Sequence, residues 1–320
     1  GELGGTDDYD LIDFSKQGIT EANLAEGYAI SDEEVDTVEG FEIVVGSETD
    51  DVLVGDGEDN FIFGGEGADV IEGGDGADCL HATFHRALSC SSGTFEEEGS
   101  NDTLRGDAGD DVLVGLGGDD TYEGGPGVDV ASFAFASGVR VDLSSASATG
   151  EGDDTLTEIE VVLGSPRGDE IFGDASDNVL DGAGGSGDIV RGMGGNDVLS
   201  DFGGDGTVDG GDGSDTITYT SHAGEVRVSL TDGTDNLGNS ISAIENVLGP
   251  LLGRGIITGD AGPNRLVGGP NGDEIYGVDG DDVIAGAQGH DTLDGGAGTD
   301  SIDGGPGNDS CTNGEQVSGC

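Results

Sequence analysis

The stretch GGEGADVIEGGDGADCLH, residues 64–81, states one nine-residue pattern twice. Written G-G-x-G-x-D-x-U-x, with U a large aliphatic residue, the pattern is filled at every place by Gly64 to Glu72 and again by Gly73 to His81. The first six residues predict a turn, because glycine adopts backbone angles closed to residues with a Cβ. The last three predict a very short strand whose middle side chain points inward. Two units then complete one coil, and the next coil stacks about 4.8 Å away at strand spacing.

Outward from this stretch the frame persists. Upstream it supplies Asn60 in the aspartate place and Asp51 with Leu53; after an insertion it resumes with Asp102, Asp111, Asp120 and Asp129. A further run carries Asp169, Asn178, Asp188, Asp197 and Asp215, and the longest run places Asn264, Asp273, Asp282, Asp291, Asp300 and Asp309 at strict nine-residue steps. Such a register defines a repeat architecture. The predicted fold is therefore all-β, a parallel β-roll or β-helix solenoid interrupted by irregular β insertions.

The composition makes this fold a problem in electrostatics. The chain has 69 acidic and 9 basic residues among 320, a formal charge of -60, 67 glycines and no tryptophan. Low aromatic content with a large uniform charge ordinarily means disorder, since too little apolar surface is buried to offset chain entropy. Either a very salty solvent hydrates the acids, or multivalent cations bind them and become part of the fold. A halophilic surface needs no register, whereas cation ligands must recur at positions set by coordination geometry. The register favours ions.

Turn carbonyls and aspartate carboxylates from stacked turns make an oxygen-only shell, which suits calcium better than magnesium with its tight octahedral demand. The expected ligands are Asp51, Asp69, Asp78, Asp102, Asp111, Asp120, Asp129, Asp169, Asp188, Asp197, Asp215, Asp273, Asp282, Asp291, Asp300 and Asp309, with carbonyls from turn glycines such as Gly64, Gly65, Gly67, Gly74 and Gly76. On the order of fifteen ions would offset about half of the formal charge. Turns with Asn60, Asn178 or Asn264, the turn with Gly206 in the aspartate place, and the stretch Gly249 to Asp260 are expected to bind calcium weakly or not at all.

A larger repeat lies above the small one. DLIDF (10–14), DVASF (129–133) and DTITY (215–219) leave the glycine frame through an aspartate and an aromatic, and about 35 residues later VEGFEIVVGS, LTEIEVVLGS and ISAIENVLGP return to it at Ser47, Ser165 and Pro250. Between exit and return, GVRVDL (138–143) and EVRVSL (225–230) alternate as half-buried strands do; GITEANLAEGYAI in the first excursion does not match them. Phe14, Phe133 and Tyr219 are expected to pack as core of these wider coils. The division is into three tandem modules, residues 1–124 with an insertion at about 79–98, 125–210, and 211–320.

These motifs resemble RTX-type secreted calcium-binding proteins over nearly the whole chain. The resemblance implies a right-handed parallel β-roll that folds on calcium after export, and the connectors resemble those of long bacterial RTX arrays. Members of that family include arrays attached to proteases, lipases and sugar-modifying enzymes, so catalysis needs its own test. H-E-x-x-H, G-x-S-x-G and G-K-[ST] are absent, and Lys16 is the only lysine. The chain is expected not to be an enzyme.

Four cysteines form two sequence-local pairs, Cys79 with Cys90 and Cys311 with Cys320, read as disulfides of an oxidising, extracellular compartment. His81 and His85 inside CLHATFHRALSC stand four apart but have no third ligand nearby, so this segment is read as a disulfide-closed loop rather than a zinc site. Cys311 occupies the inward place of the last repeat, and its bridge is expected to fold the tail over the last coil. Nucleic acid is excluded as a partner by the scarcity of basic residues. No apolar run reaches the roughly 18 residues of a membrane span, and no basic leader with an apolar run is present, a leader having been removed or never included. The expected function is that of a secreted, calcium-stabilised structural or adhesive protein, with end-to-end self-association into a filament or surface layer as an extension. The alternative is a non-catalytic secretion or targeting module of a larger exported enzyme.

Overall fold

The computed structural model describes residues 10–15, 19–31, 35–38, 40–83 and 99–320. The chain forms two compact units, Gly1–Ser165 and Pro166–Cys320; the three-module division is a property of the sequence repeat. Secondary structure among the described residues is β apart from a single 3-10 turn, Leu143–Ser145, capped by the Asp142 side chain.

In the first unit one sheet runs parallel through Leu11–Asp13, Ile43–Val45, Phe61–Phe63, Cys79–His81, Val112–Val114, Val130–Ser132 and Val161–Leu163. The other runs through Val52–Val54, Val70–Asp75, Thr103–Ala108, Thr121–Glu123 and Asp153–Thr157. Consecutive nonapeptides alternate between the sheets, so two units do make one coil: Leu53 pairs with Ile71 and Ile62 with Leu80, each eighteen residues on. Where the insertion intervenes the step lengthens, pairing Ile71 with Leu104 and Leu80 with Leu113 without loss of register.

The second unit repeats the arrangement. One sheet contains Val179–Asp181, Val198–Ser200, Thr216–Thr218, Asn246–Leu248, Arg265–Gly269, Val283–Ala287, Ser301–Asp303 and Gln316–Ser318. Facing it are Glu170–Phe172, Ile189–Gly194, Thr207–Asp212 and Ser240–Ser242, then Val226–Ser229, Gly255–Thr258, Glu274–Tyr276, Thr292–Asp294 and Ser310–Thr312.

The core is the column of U residues. Leu53, Ile62, Ile71, Leu80, Leu104 and Leu113 are fully buried in the first unit, and Ile171, Leu180, Val190, Leu199, Ile275 and Leu293 in the second. Each contributes about 1.5–3 kcal/mol, but only one such side chain serves nine residues. The exit aromatics Phe14, Phe133 and Tyr219 are buried as expected. They open wider coils that are themselves β: Arg140–Asp142 pairs antiparallel with Ser147–Thr149, and Val226–Ser229 with Thr234–Asp235. The unmatched first excursion is an antiparallel hairpin of Ile19–Asn23 and Tyr28–Ser31.

Cys311 and Cys320 form a disulfide with a Cα–Cα distance of 6.0 Å. The tail lies along the edge of the last coil, as expected: Gln316–Ser318 pairs in parallel with Ser301–Asp303, fifteen residues before it, and continues the sheet. Cys90 and His85 lie outside the described residues, and with them the expected Cys79–Cys90 bridge.

Candidate metal centres in the stacked turns

The first glycine and the aspartate of each turn face one another. A Cβ on Gly64 would run into the Asp69 carboxylate, and one on Gly277 into that of Asp282. Gly67 has φ +112, and a Cβ there would also strike the backbone of Thr49 and Asp50 in the turn beneath. Glycine is therefore required twice over, by backbone angle and by the closeness of the stacked turns.

This packing draws the frame aspartates into two ladders per unit. In the first unit Oδ1 of Asp69 accepts the Asp51 N–H at 2.8 Å, Asp102 that of Asp69 at 2.7 Å, and Asp120 that of Asp102 at 2.9 Å. On the other side Asp78 accepts from Asn60 at 2.7 Å, Asp111 from Asp78 at 2.7 Å, and Asp129 from Asp111 at 2.9 Å. The second unit repeats it: Asp188 accepts from Asp169, Asp197 from Asn178, Asp215 from Asp197, Asp291 from Asp273, Asp282 from Asn264, Asp300 from Asp282 and Asp309 from Asp291, all at 2.7–3.0 Å.

One carboxylate oxygen is thus used and the other is left. Oδ2 of Asp69, Asp78, Asp111, Asp120, Asp129, Asp188, Asp197, Asp215, Asp282, Asp291, Asp300 and Asp309 is buried without a hydrogen-bond partner. A buried oxygen of an ionised acid left bare is costly, and such groups are ordinarily paired or bound to a metal. Among the described residues Arg105, Arg140, Arg227 and Arg254 pair with Glu72, Glu123, Asp142, Glu225 and Glu274.

Burial, reinforced by neighbouring aspartates and opposed by the ladder hydrogen bond, pushes the Asp69 carboxyl up to about 8. The same causes hold Asp78 and Asp120 at about 7, and Asp129 and Asp197 at about 6. Asp111, Asp215, Asp282 and Asp291 are raised as well, burial being the first cause. Buried oxygens of this kind are donors of the type that hard divalent cations with oxygen shells take. No group of three or more His, Cys, Asp or Glu side chains able to hold a metal ion is present among the described residues.

Two expected ligands differ. Asp51 Oδ2 accepts the Ser47 N–H at 2.6 Å and Asp273 Oδ2 that of Gly269 at 2.7 Å, so both aspartates cap their own turns. Asp102 and Asp169 are buried in frame. The asparagine turns are satisfied internally: Oδ1 of Asn60, Asn178 and Asn264 accepts the N–H of Asp56, Asp174 and Asp260 at 2.8–2.9 Å.

Sequence reasoning missed several ladder members. Asp154 accepts from Asp120 at 3.0 Å. Glu42, Glu160 and Glu245 accept from Asp10, Asp129 and Asp215 at 2.7–3.0 Å, so each excursion closes by the returning glutamate gripping the departing aspartate, and Glu315 accepts from Asp300 at 2.7 Å in the tail. The signal was present as the glutamate before each returning strand, in FEIVV, IEVVL and IENVL. A second, outer ladder of opposite sense was also missed: Asp50, Asp59, Asp110, Asp119 and Asp281 accept from the coil above at 2.8–3.0 Å. Many acids are thus engaged with backbone rather than ions.

A parallel β-solenoid whose stacked glycine turns present regularly spaced, half-satisfied aspartates is the calcium-binding class of β-roll. The family model for the RTX calcium-binding nonapeptide repeat (four copies) matches residues 45–80, 98–131, 159–189, 183–217, 252–284 and 276–311, together more than half of the chain. The chain belongs to this family. The comparison with curated proteins found no match.

Proposed function

We propose that the chain is a secreted structural solenoid whose frame aspartates hold calcium between stacked turns, and that it carries no catalysis of its own. The observation that carries the reading is the series of buried, partnerless Oδ2 atoms repeating at the coil step. Asp69, Asp78, Asp111, Asp120, Asp129, Asp188, Asp197, Asp215, Asp282, Asp291, Asp300 and Asp309 would provide carboxylate ligands, and the asparagine turns would remain metal-free. Bound calcium supplies the charge that lets these acids ionise inside the fold. The Cys311–Cys320 disulfide supports an oxidising compartment.

The test is far-ultraviolet circular dichroism of the chelated protein titrated with calcium, with magnesium and sodium chloride as controls. The expected result is β signal gained with calcium and not with the controls. Chelated protein that keeps its full β signal in dilute buffer overturns the reading.

A further inference from the structure

The turn DFGGDG, residues 201–206, reverses the repeat: aspartate stands in the first glycine place and glycine in the aspartate place. Since those two positions face each other in ordinary turns, exchanging them returns a carboxylate to the same space from the opposite side. The geometry bears this out, because a Cβ on Gly206 would run into Asp201 Oδ2. Asp201 is 2% exposed. Its Oδ1 accepts the Gly203 N–H at 2.8 Å, while Oδ2 is buried and has no hydrogen-bond partner.

In the preceding coil Asp188 lies against it, fully buried, with Oδ1 engaged by the Asp169 N–H at 2.8 Å and Oδ2 again without a partner. The two turns meet at Gly206, where a Cβ would strike Asp201 Oδ2 and lie 2.9 Å from the Asp188 carbonyl. The polar groups around them are committed elsewhere. Asn239 donates to the Asp201 carbonyl at 3.0 Å and to Asp235 Oδ2 at 3.1 Å, and accepts the Gly206 N–H at 3.0 Å. Asp235 accepts from the Tyr219 hydroxyl at 2.8 Å and from three backbone N–H groups.

We propose that Asp188 and Asp201 form a site for a hard divalent cation, calcium by its oxygen donors, at a turn the repeat frame leaves blank. Two adjacent buried acids repel when ionised, and one divalent ion between their bare oxygens offsets both charges. The inference rests on the reading that stacked turns of this chain hold calcium, and adds a ligand, Asp201, that the repeat pattern does not supply.

The test counts calcium bound per full-length chain, by native mass spectrometry after removal of free ion. Asp201→Asn and Asp201→Gly are each expected to carry at least one ion fewer than wild type. The double variant Asp201→Gly/Gly206→Asp, which restores the ordinary turn, is expected to regain the wild-type count. Asp282→Asn serves as the reference frame site. If Asp282→Asn loses calcium while Asp201→Asn keeps the wild-type count, or if the double variant stays at the Asp201→Gly level, this inference fails and the general reading stands. If Asp282→Asn itself loses none, the general reading fails.

Discussion

Asp282 separates the two tasks of a frame aspartate. Its Oδ1 accepts the Asn264 N–H at 2.8 Å, and its Oδ2 is buried and bare. Asp282→Asn keeps a carbonyl oxygen for the ladder and removes the charged ligand. Asp282→Ala removes both and leaves the Asn264 N–H, in a residue 3% exposed, without its acceptor. An ion held at roughly 100 times its dissociation constant stabilises its site by about 2.7 kcal/mol, which both variants lose. Alanine adds about 1–3 kcal/mol for the unsatisfied buried donor, or roughly 5- to 150-fold faster local opening. Hydrogen–deuterium exchange in calcium, over peptides spanning 260–300, reads these terms locally, as a solenoid that opens coil by coil requires. The expected order of protection is wild type, then Asn, then Ala, with the exposed control Glu26→Ala unchanged. Equal exchange in the Asn and Ala variants would refute the ladder, and an Asn variant with wild-type protection and ion count would refute the ligand.

Calcium affinity is expected to fall as pH drops from about 8 toward 6, as isothermal calorimetry would measure, because Asp69, held up to about 8, and Asp78 and Asp120, at about 7, must lose protons to bind. The metal-free fold runs the other way: its raised carboxyls bind more protons than the unfolded chain, so its stability is greatest at low pH and lost as pH rises through about 6 to 8. Val278 has φ +88, a left-handed angle poorly tolerated by a β-branched residue. Val278→Gly is expected to stabilise its coil by roughly 1 kcal/mol in a thermal melt in calcium. Tyr122, fully buried, accepts the Gly115 N–H on its hydroxyl at 2.9 Å. Tyr122→Phe should cost about 1–3 kcal/mol in the same melt, and no change would show that the donor finds another acceptor.

The nine-residue spacing by itself determined the coil. It set which residue points inward, which places need glycine, and that successive units alternate between two parallel sheets, since all of these follow from backbone geometry within a few residues. It also placed Cys311 and Cys320 one unit apart, the separation their disulfide spans. Only the tertiary structure decided what each acid does, because the partner of a turn lies in the neighbouring coil at a sequence distance that varies. Asp69 meets Asp51 eighteen residues away, whereas Asp69 itself donates to Asp102 across 33 and Asp120 to Asp154 across 34. Glu160 and Glu245 enter the ladder across excursions that no fixed period counts. The exchange of Asp201 with Gly206 reads as a broken repeat in one dimension and as a preserved carboxylate in three, since what the fold conserves is the space between facing positions rather than the order of the residues that fill it.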